Sequence, residues 1–184
     1  MKLTALLLHR ACGLEDRLDP HRTPLFRVAC AWSHDRALAD DLVQETLVKA
    51  LQHADQLRDP ERLRSWLFSI MANCWRDHLR TVRPTTDIDA LDEECFCSEE
   101  TPELAYDRGE TVDRVRAAVA RLPVGQRQVV TLVDLEEFSY AEVAAILGIP
   151  IGTVMSRLCR ARLALREQLR QPAVVPFPRF RSAQ

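Results

Sequence analysis

Apolar residues recur at spacings of three and four in one segment after another along the chain, so the pattern predicts helices from end to end. Leu25, Val28, Ala29 and Trp32 fall on one side of LFRVACAW, which reads as a helix packed into a core. Over 39–54 the stripe is Leu42, Val43, Thr46, Leu47, Ala50 and Leu51, with Asp40 and Asp41 near the helix start, where the macrodipole favours negative charge. A Pro-containing loop, DQLRDPERL, leads to a third helix over 64–82. Its Trp66, Leu67, Ile70, Met71, Cys74 and Leu79 point one way, and Ser65, Asn73, Arg76 and Arg80 the other. Helical character returns near Leu104 with Val112, Val115, Val119 and Leu122 in register, and Pro123 opens a further unit in which Val129, Val130, Leu132 and Val133 are apolar.

The most informative pattern lies over 139–166. Val143, Ala144 and Leu147 make one short amphipathic helix, Ser139 can cap its start with Glu142 three residues on, and Gly148 supplies the positive-φ residue that ends it. After Ile149 and Pro150 a second helix follows, with Thr153 at its start and Ile151, Val154, Leu158, Ala161 and Leu165 as the inward stripe. Its outer face carries Met155, Ser156, Cys159 and Arg160, flanked by Arg157, Arg162 and Arg166. A short helix, a tight turn and a second helix with a basic face make a helix-turn-helix, whose second helix can enter the major groove of DNA. A helical hairpin with a solvated arginine face has the same periodicity. Charge separates the two, because from Ile151 onward there are seven arginines against one acid, Glu167.

Composition changes this picture in one respect. The net charge of -2 conceals a segregation: residues 85–113 hold eleven acids and one arginine, so the rest of the chain is strongly basic. The organisation this predicts is all-α, with two small basic helical domains joined by an acidic linker, and the basic bodies imply a polyanionic partner. Only 5 glycines and 10 prolines argue against a β-rich or low-complexity chain. The run from Leu3 to Leu8 stops at His9 and Arg10, too short for a membrane span, so no membrane insertion is expected and a cytoplasmic location is. Cys12, Cys30, Cys74, Cys95, Cys97 and Cys159 fit reduced thiols, and the CFC spacing of Cys95 and Cys97 is not that of a zinc knuckle. With no Ser/His/Asp set, metal-spaced cluster or glycine-rich phosphate loop, neither an enzyme nor a cofactor is expected. Trp66 and Trp75 lie beside arginines, as on surfaces where unstacked bases sit, although tryptophan on an amphipathic helix also serves as core.

DDLVQETLVKAL, WLFSIMANCWRDHLR and LPVGQRQVVTLVDLEEFSYAEVAAILGIPIGTVMSRLCRARLALR, in that order, resemble the extracytoplasmic function (ECF) sigma factors of RNA polymerase. Composition points to a loosely held N-terminal arm (1–21), an acidic linker (85–109) and a tail (172–184), and the resemblance implies a region 2 domain (22–84) and a region 4 helix-turn-helix domain (110–171). It implies that the chain binds the RNA polymerase core and promoter DNA, and it suggests an anti-sigma factor as regulator. Asp41, Gln44, Glu45, Leu47 and Val48 would then hold the polymerase. Arg64, Asn73, Arg76, Asp77 and Arg80 would hold the melted promoter. Thr153, Met155, Ser156, Arg157, Cys159, Arg160 and Arg162 would meet the upstream promoter box. Met155 stands where many members carry Lys or Arg and offers only apolar contact, for example to a thymine methyl. A sigma-mimicking decoy would have no need of the outward arginines, and a stand-alone helix-turn-helix regulator would leave the patch around Asp41 without purpose.

Overall fold

The computed structural model describes residues 2–57, 59–82 and 108–170, with side chains from 16 in the first segment and from 111 in the last. Among these residues the chain is helical: α1 (Lys2–Ser33), α2 (Arg36–Gln52), two 3₁₀ turns (Ala54–Gln56, Pro60–Arg62), α3 (Leu63–Val82), α4 (Arg108–Ala120), α5 (Val124–Val130), α6 (Tyr140–Leu147) and α7 (Ile151–Arg170). The acidic stretch with Cys95 and Cys97, and the tail after Arg170, lie outside the described residues. No single described helix is long and apolar enough to cross a membrane.

The first helix differs from expectation. Its pattern suggested a start at Leu25 after a loosely held arm, yet α1 runs from Lys2 through Pro20 and Pro24. The two prolines are four residues apart, so the donors they delete lie on one face, and Pro20 is exposed there. Leu18 is buried and the Arg17 guanidinium donates to the Pro60 carbonyl at 2.9 Å, so packing holds the helix beyond its prolines. Helix α2 also starts earlier than its apolar stripe: Asp35 is the N-cap, its carboxylate accepting from the Ala37 and Leu38 amides at 2.7 and 3.2 Å. Asp40 and Asp41 lie past the first turn.

Helices α1, α2 and α3 form the first module around Leu25, Val28, Trp32, Leu42, Leu67, Phe68 and Met71, all nearly or fully buried. Burying each such side chain stabilises the fold by about 1.5–3 kcal/mol. The second module packs α4 and α5 against α7, with α6 across α7. Its core is Leu122, Val129, Leu132, Val143, Ile146, Val154 and Leu158. Val112 and Val115, expected inside, are 47% and 42% exposed, since α4 meets the module mainly through Ala118 and the residues after it.

Helix α5 ends in a π turn over Thr131–Leu135, closed by the Glu136 amide donating to the Thr131 carbonyl at 3.1 Å. Helix α6 is as the sequence predicts. Ser139 Oγ accepts from the Glu142 amide at 3.3 Å, and Glu142 Oε2 accepts from the Ser139 amide at 2.8 Å, a complete capping box. Gly148 at φ 68° ends the helix in the left-handed conformation that glycine adopts without cost. Helix α7 then leaves at 105° to α6, within the range of a helix-turn-helix.

The two modules are in contact, α1 with α4 and α5 and α3 with α6, so one continuous set of buried residues spans both. Trp32 Nε1 donates to Thr131 Oγ1 at 2.8 Å, and the Phe68 and Phe138 rings meet edge to face at 5.0 Å.

Candidate polymerase and nucleic-acid interfaces

Helix α2 presents Asp41, Gln44, Glu45 and Val48 to solvent, with Leu47 half-buried beneath them. Val48 is 51% exposed beside the half-buried Leu47, so acids and an amide frame a small apolar spot. Glu45 pairs with Lys49 at 2.8 Å one turn on, and that hydrogen bond is the main reason the lysine's pKa is raised. The patch matches a protein contact with an apolar centre and a polar rim.

On α3 the promoter candidates divide. Asn73, Asp77 and Arg80 are exposed, with Asp77 and Arg80 3.6 Å apart. Arg76 is held between modules, donating to Asn73 Oδ1 at 2.7 Å and to the Leu147 carbonyl at 2.9 Å. That carbonyl ends α6, where the helix dipole favours a cation. Arg64 is engaged more fully: it donates to Glu136 Oε2 at 2.9 Å and to the Glu136 carbonyl, and its guanidinium lies 4.3 Å from the centre of the Phe138 ring. Trp75 is buried and stacked on His78, which makes it a core residue, whereas Trp66 is only half-buried.

On α7 the outer face is as expected. Met155 is 54% exposed, and Ser156, Cys159 and Arg160 lie beside it in solvent. Among the described residues the Arg160 guanidinium bonds the Ser156 carbonyl of its own helix, at a long 3.4 Å, which leaves it available to a partner. Thr153 is half-buried in the first turn, where its amide donates to the Pro150 carbonyl at 2.9 Å. The flanking arginines depart from expectation. Arg157 is buried at a shallow cleft between modules that Arg76, Gln128 and Leu147 also line. Arg162 forms a two-point ion pair with Asp134, Nε to Oδ2 at 3.1 Å, which raises its pKa. Periodicity could not show either, because Asp134 and the residues across the cleft come from other elements.

Sequence reasoning missed the residues that join the modules. Glu136 is buried, its side chain 1% exposed, and Arg27 from α1 and Arg64 from α3 reach its two carboxylate oxygens at 3.0 and 2.9 Å. Arg127 donates to the Trp32 carbonyl at the end of α1 and to the Ala120 and Leu122 carbonyls at the end of α4, each at 2.8 Å. The available signal was an acid pair, Glu136 and Glu137, in an otherwise largely apolar stretch that has no basic residue between Arg127 and Arg157 to pair with it.

Together these features define a two-module helical DNA-binding protein with a helix-turn-helix in its second module and an exposed patch of polar and apolar side chains on its first. A protein-family model described as Sigma-70 region 2 matches residues 18–85, and one described as Sigma-70, region 4 matches residues 113–165. The ECF RNA polymerase sigma factor EcfG of Rhodopseudomonas palustris is 37% identical over 143 residues, 76% of this chain and 75% of that protein. The ECF RNA polymerase sigma factor SigL of Mycobacterium tuberculosis is 36% identical over 160 residues, 85% of this chain and 88% of that one. Among solved structures, the sigma factor RpoE of Bartonella quintana in complex with the anti-sigma factor NepR superposes with a TM-score of 0.71 at 30% identity, covering 85% of this chain and 96% of that one. CnrH in complex with the cytosolic domain of CnrY gives 0.62 at 27% identity, covering 90% and 95%. The chain belongs to the ECF sigma factors of RNA polymerase. Its function is promoter recognition in transcription initiation, and it is not an enzyme.

Proposed function

We propose that Asp41, Gln44, Glu45, Leu47 and Val48 form the polymerase contact, and that Arg64, Asn73, Arg76, Asp77 and Arg80 hold the opened promoter strand. Thr153, Met155, Ser156, Cys159, Arg160 and Arg162 then form the surface for the upstream box, and Arg157 joins it once the modules part. The functional modules are 22–84 and 110–171, joined by the acidic linker 85–109. The observation that carries the reading is the free outer face of α7, where Met155, Ser156, Cys159 and Arg160 are exposed on a helix set at 105° by a fully capped partner. Within that surface Arg160 is the first candidate for a base edge, and Met155 meets an apolar edge such as a thymine methyl. The exposed Asn73 and Arg80 receive the displaced strand, and Arg64 and Arg76 join them once the modules part. An anti-sigma factor is the regulating partner, and the work is done in the cytoplasm.

Run-off transcription with purified core polymerase and a promoter library tests this. The chain should direct initiation from a defined set of promoters, and its failure to stimulate any initiation overturns the proposal. On a promoter so found, Arg160→Ala should weaken binding by about 1–3 kcal/mol and relax selectivity at one position. An equal loss on every sequence would move Arg160 to a phosphate.

A further inference from the structure

Glu136 is a carboxylate held by two arginines from the other module. It comes from the π turn after α5, and its two oxygens take one guanidinium each, Arg27 at 3.0 Å and Arg64 at 2.9 Å. The acid is fully enclosed, whereas the Arg27 and Arg64 side chains remain 52% and 40% exposed. Partial exposure keeps both guanidinium groups hydrated on their outer sides, so they do not need this acid in order to stay charged. A buried carboxylate, in contrast, depends on its partners. Its release therefore requires the second module to move away and Glu136 to enter water.

Arg17 adds a third cation near Arg64. It is anchored to the Pro60 carbonyl at 2.9 Å, and both arginines lie close enough to His21, one turn on from Arg17 along α1, to help lower its pKa after burial, so the imidazole itself adds no charge. Two guanidinium groups that each hold one oxygen of a carboxylate can hold the two non-bridging oxygens of a phosphodiester in the same way. The Phe138 ring beneath Arg64 belongs to the second module, so it leaves with Glu136.

We infer that Arg27 and Arg64 form a phosphodiester-binding site on the first module, and that Glu136 occupies it in the closed chain as an intramolecular stand-in for the nucleic-acid backbone. The second module thereby blocks strand binding by the first, and the strand and Glu136 compete for the same two guanidinium groups. The inference extends the proposed promoter role of Arg64 and rests on it. It adds Arg27 and the competing acid.

The test uses the full chain with Glu136→Ala, and Glu136→Gln, of the same shape, wherever Ala lowers the helical circular dichroism. Small-angle scattering should show a larger radius of gyration than wild type. Affinity for a fluorescein-labelled oligothymidylate strand at low salt should rise about tenfold, equivalent to 1.4 kcal/mol. Adding Arg27→Ala to the Glu136 variant should keep the modules apart and return the affinity toward the wild-type value. A variant that stays compact overturns the latch. One that opens without gaining affinity, or a double variant that keeps the gain, overturns the phosphodiester site. Scattering reads the latch whether or not the chain serves a polymerase, so a compact Glu136 variant counts against the latch alone. A wild-type chain that fails to initiate transcription counts against the proposed function alone.

Discussion

Two glutamates six residues apart, Glu136 and Glu142, show how differently one side chain can serve the fold. Glu142 closes a capping box with Ser139, three residues away on an exposed helix end, and everything it does is local. Glu136 is buried and takes its partners 109 and 72 residues back along the chain. The first sets where a helix begins. The second sets where one module lies against another. A local acid can be read from a short motif, whereas a long-range one is defined only when the chain has folded, and by residues that have no spacing relation to it.

The comparison is broken most severely at Phe138, which lies between the two acids and is 4% exposed. Phe138→Ala removes the ring that meets Phe68 and lies under Arg64, so it should cost about 3–5 kcal/mol, as for a buried aromatic elsewhere. Urea unfolding followed by circular dichroism measures this. A loss no larger than that of a helix cap would mean that the modules touch without sharing a core.

The cap itself is the second test. Glu142→Ala should cost about 1 kcal/mol, confined to the helix-turn-helix. The Glu142 carboxyl lies below its ordinary value of 4.5, chiefly because the Ser139 hydroxyl and then the Ser139 amide donate to it. A depressed folded pKa makes the cap's contribution complete above the unfolded value and lost as pH falls through the folded one. Wild type and Glu142→Ala should therefore differ in thermal stability at pH 7 and converge in acid. A difference that persists well below pH 4.5 would assign the effect to helix propensity instead.

The same contrast explains what the sequence made legible. The turn from α6 to α7 was readable because each of its determinants, Ser139, Glu142, Gly148 and the stripe Val154, Leu158 and Ala161, acts within a turn or two of its neighbours. The exposed outer face of α7 and the patch on α2 followed from the same periodicity. Arg157 was misplaced because helical spacing puts it at the edge of the stripe, and only the cleft against the first module buries it. Helical spacing puts Arg76 on the outward face, and the resemblance puts Arg64 among the promoter contacts. Both point out of their own module, but the other module covers that direction. The early start of α1 was hidden by Pro20 and Pro24, which local rules take as helix ends and tertiary packing tolerates.

The smallest expected effect is the most discriminating about how the two acids are linked. Glu137 separates Glu136 from Phe138 and has φ 56°, in the left-handed region that costs a side-chain-bearing residue about 1–2 kcal/mol. Glycine has no such cost but loses about 0.5–1 kcal/mol of chain entropy on folding. Glu137→Gly should therefore stabilise the protein by only about 0.5 kcal/mol, read as a small rise in the urea midpoint. A β-branched residue tolerates this backbone less well than Glu, so Glu137→Val should move the midpoint the other way. This one residue turns the chain between Glu136 and Phe138, so its substitution decides whether the bend or the packing of Phe138 brings Glu136 to Arg27 and Arg64. If Glu137→Val lowers stability and also enlarges the molecule in scattering, the bend positions the latch. If it lowers stability while the molecule stays compact, the strain belongs to the second module alone, and Glu136 finds its arginines through the packing of Phe138 against Phe68.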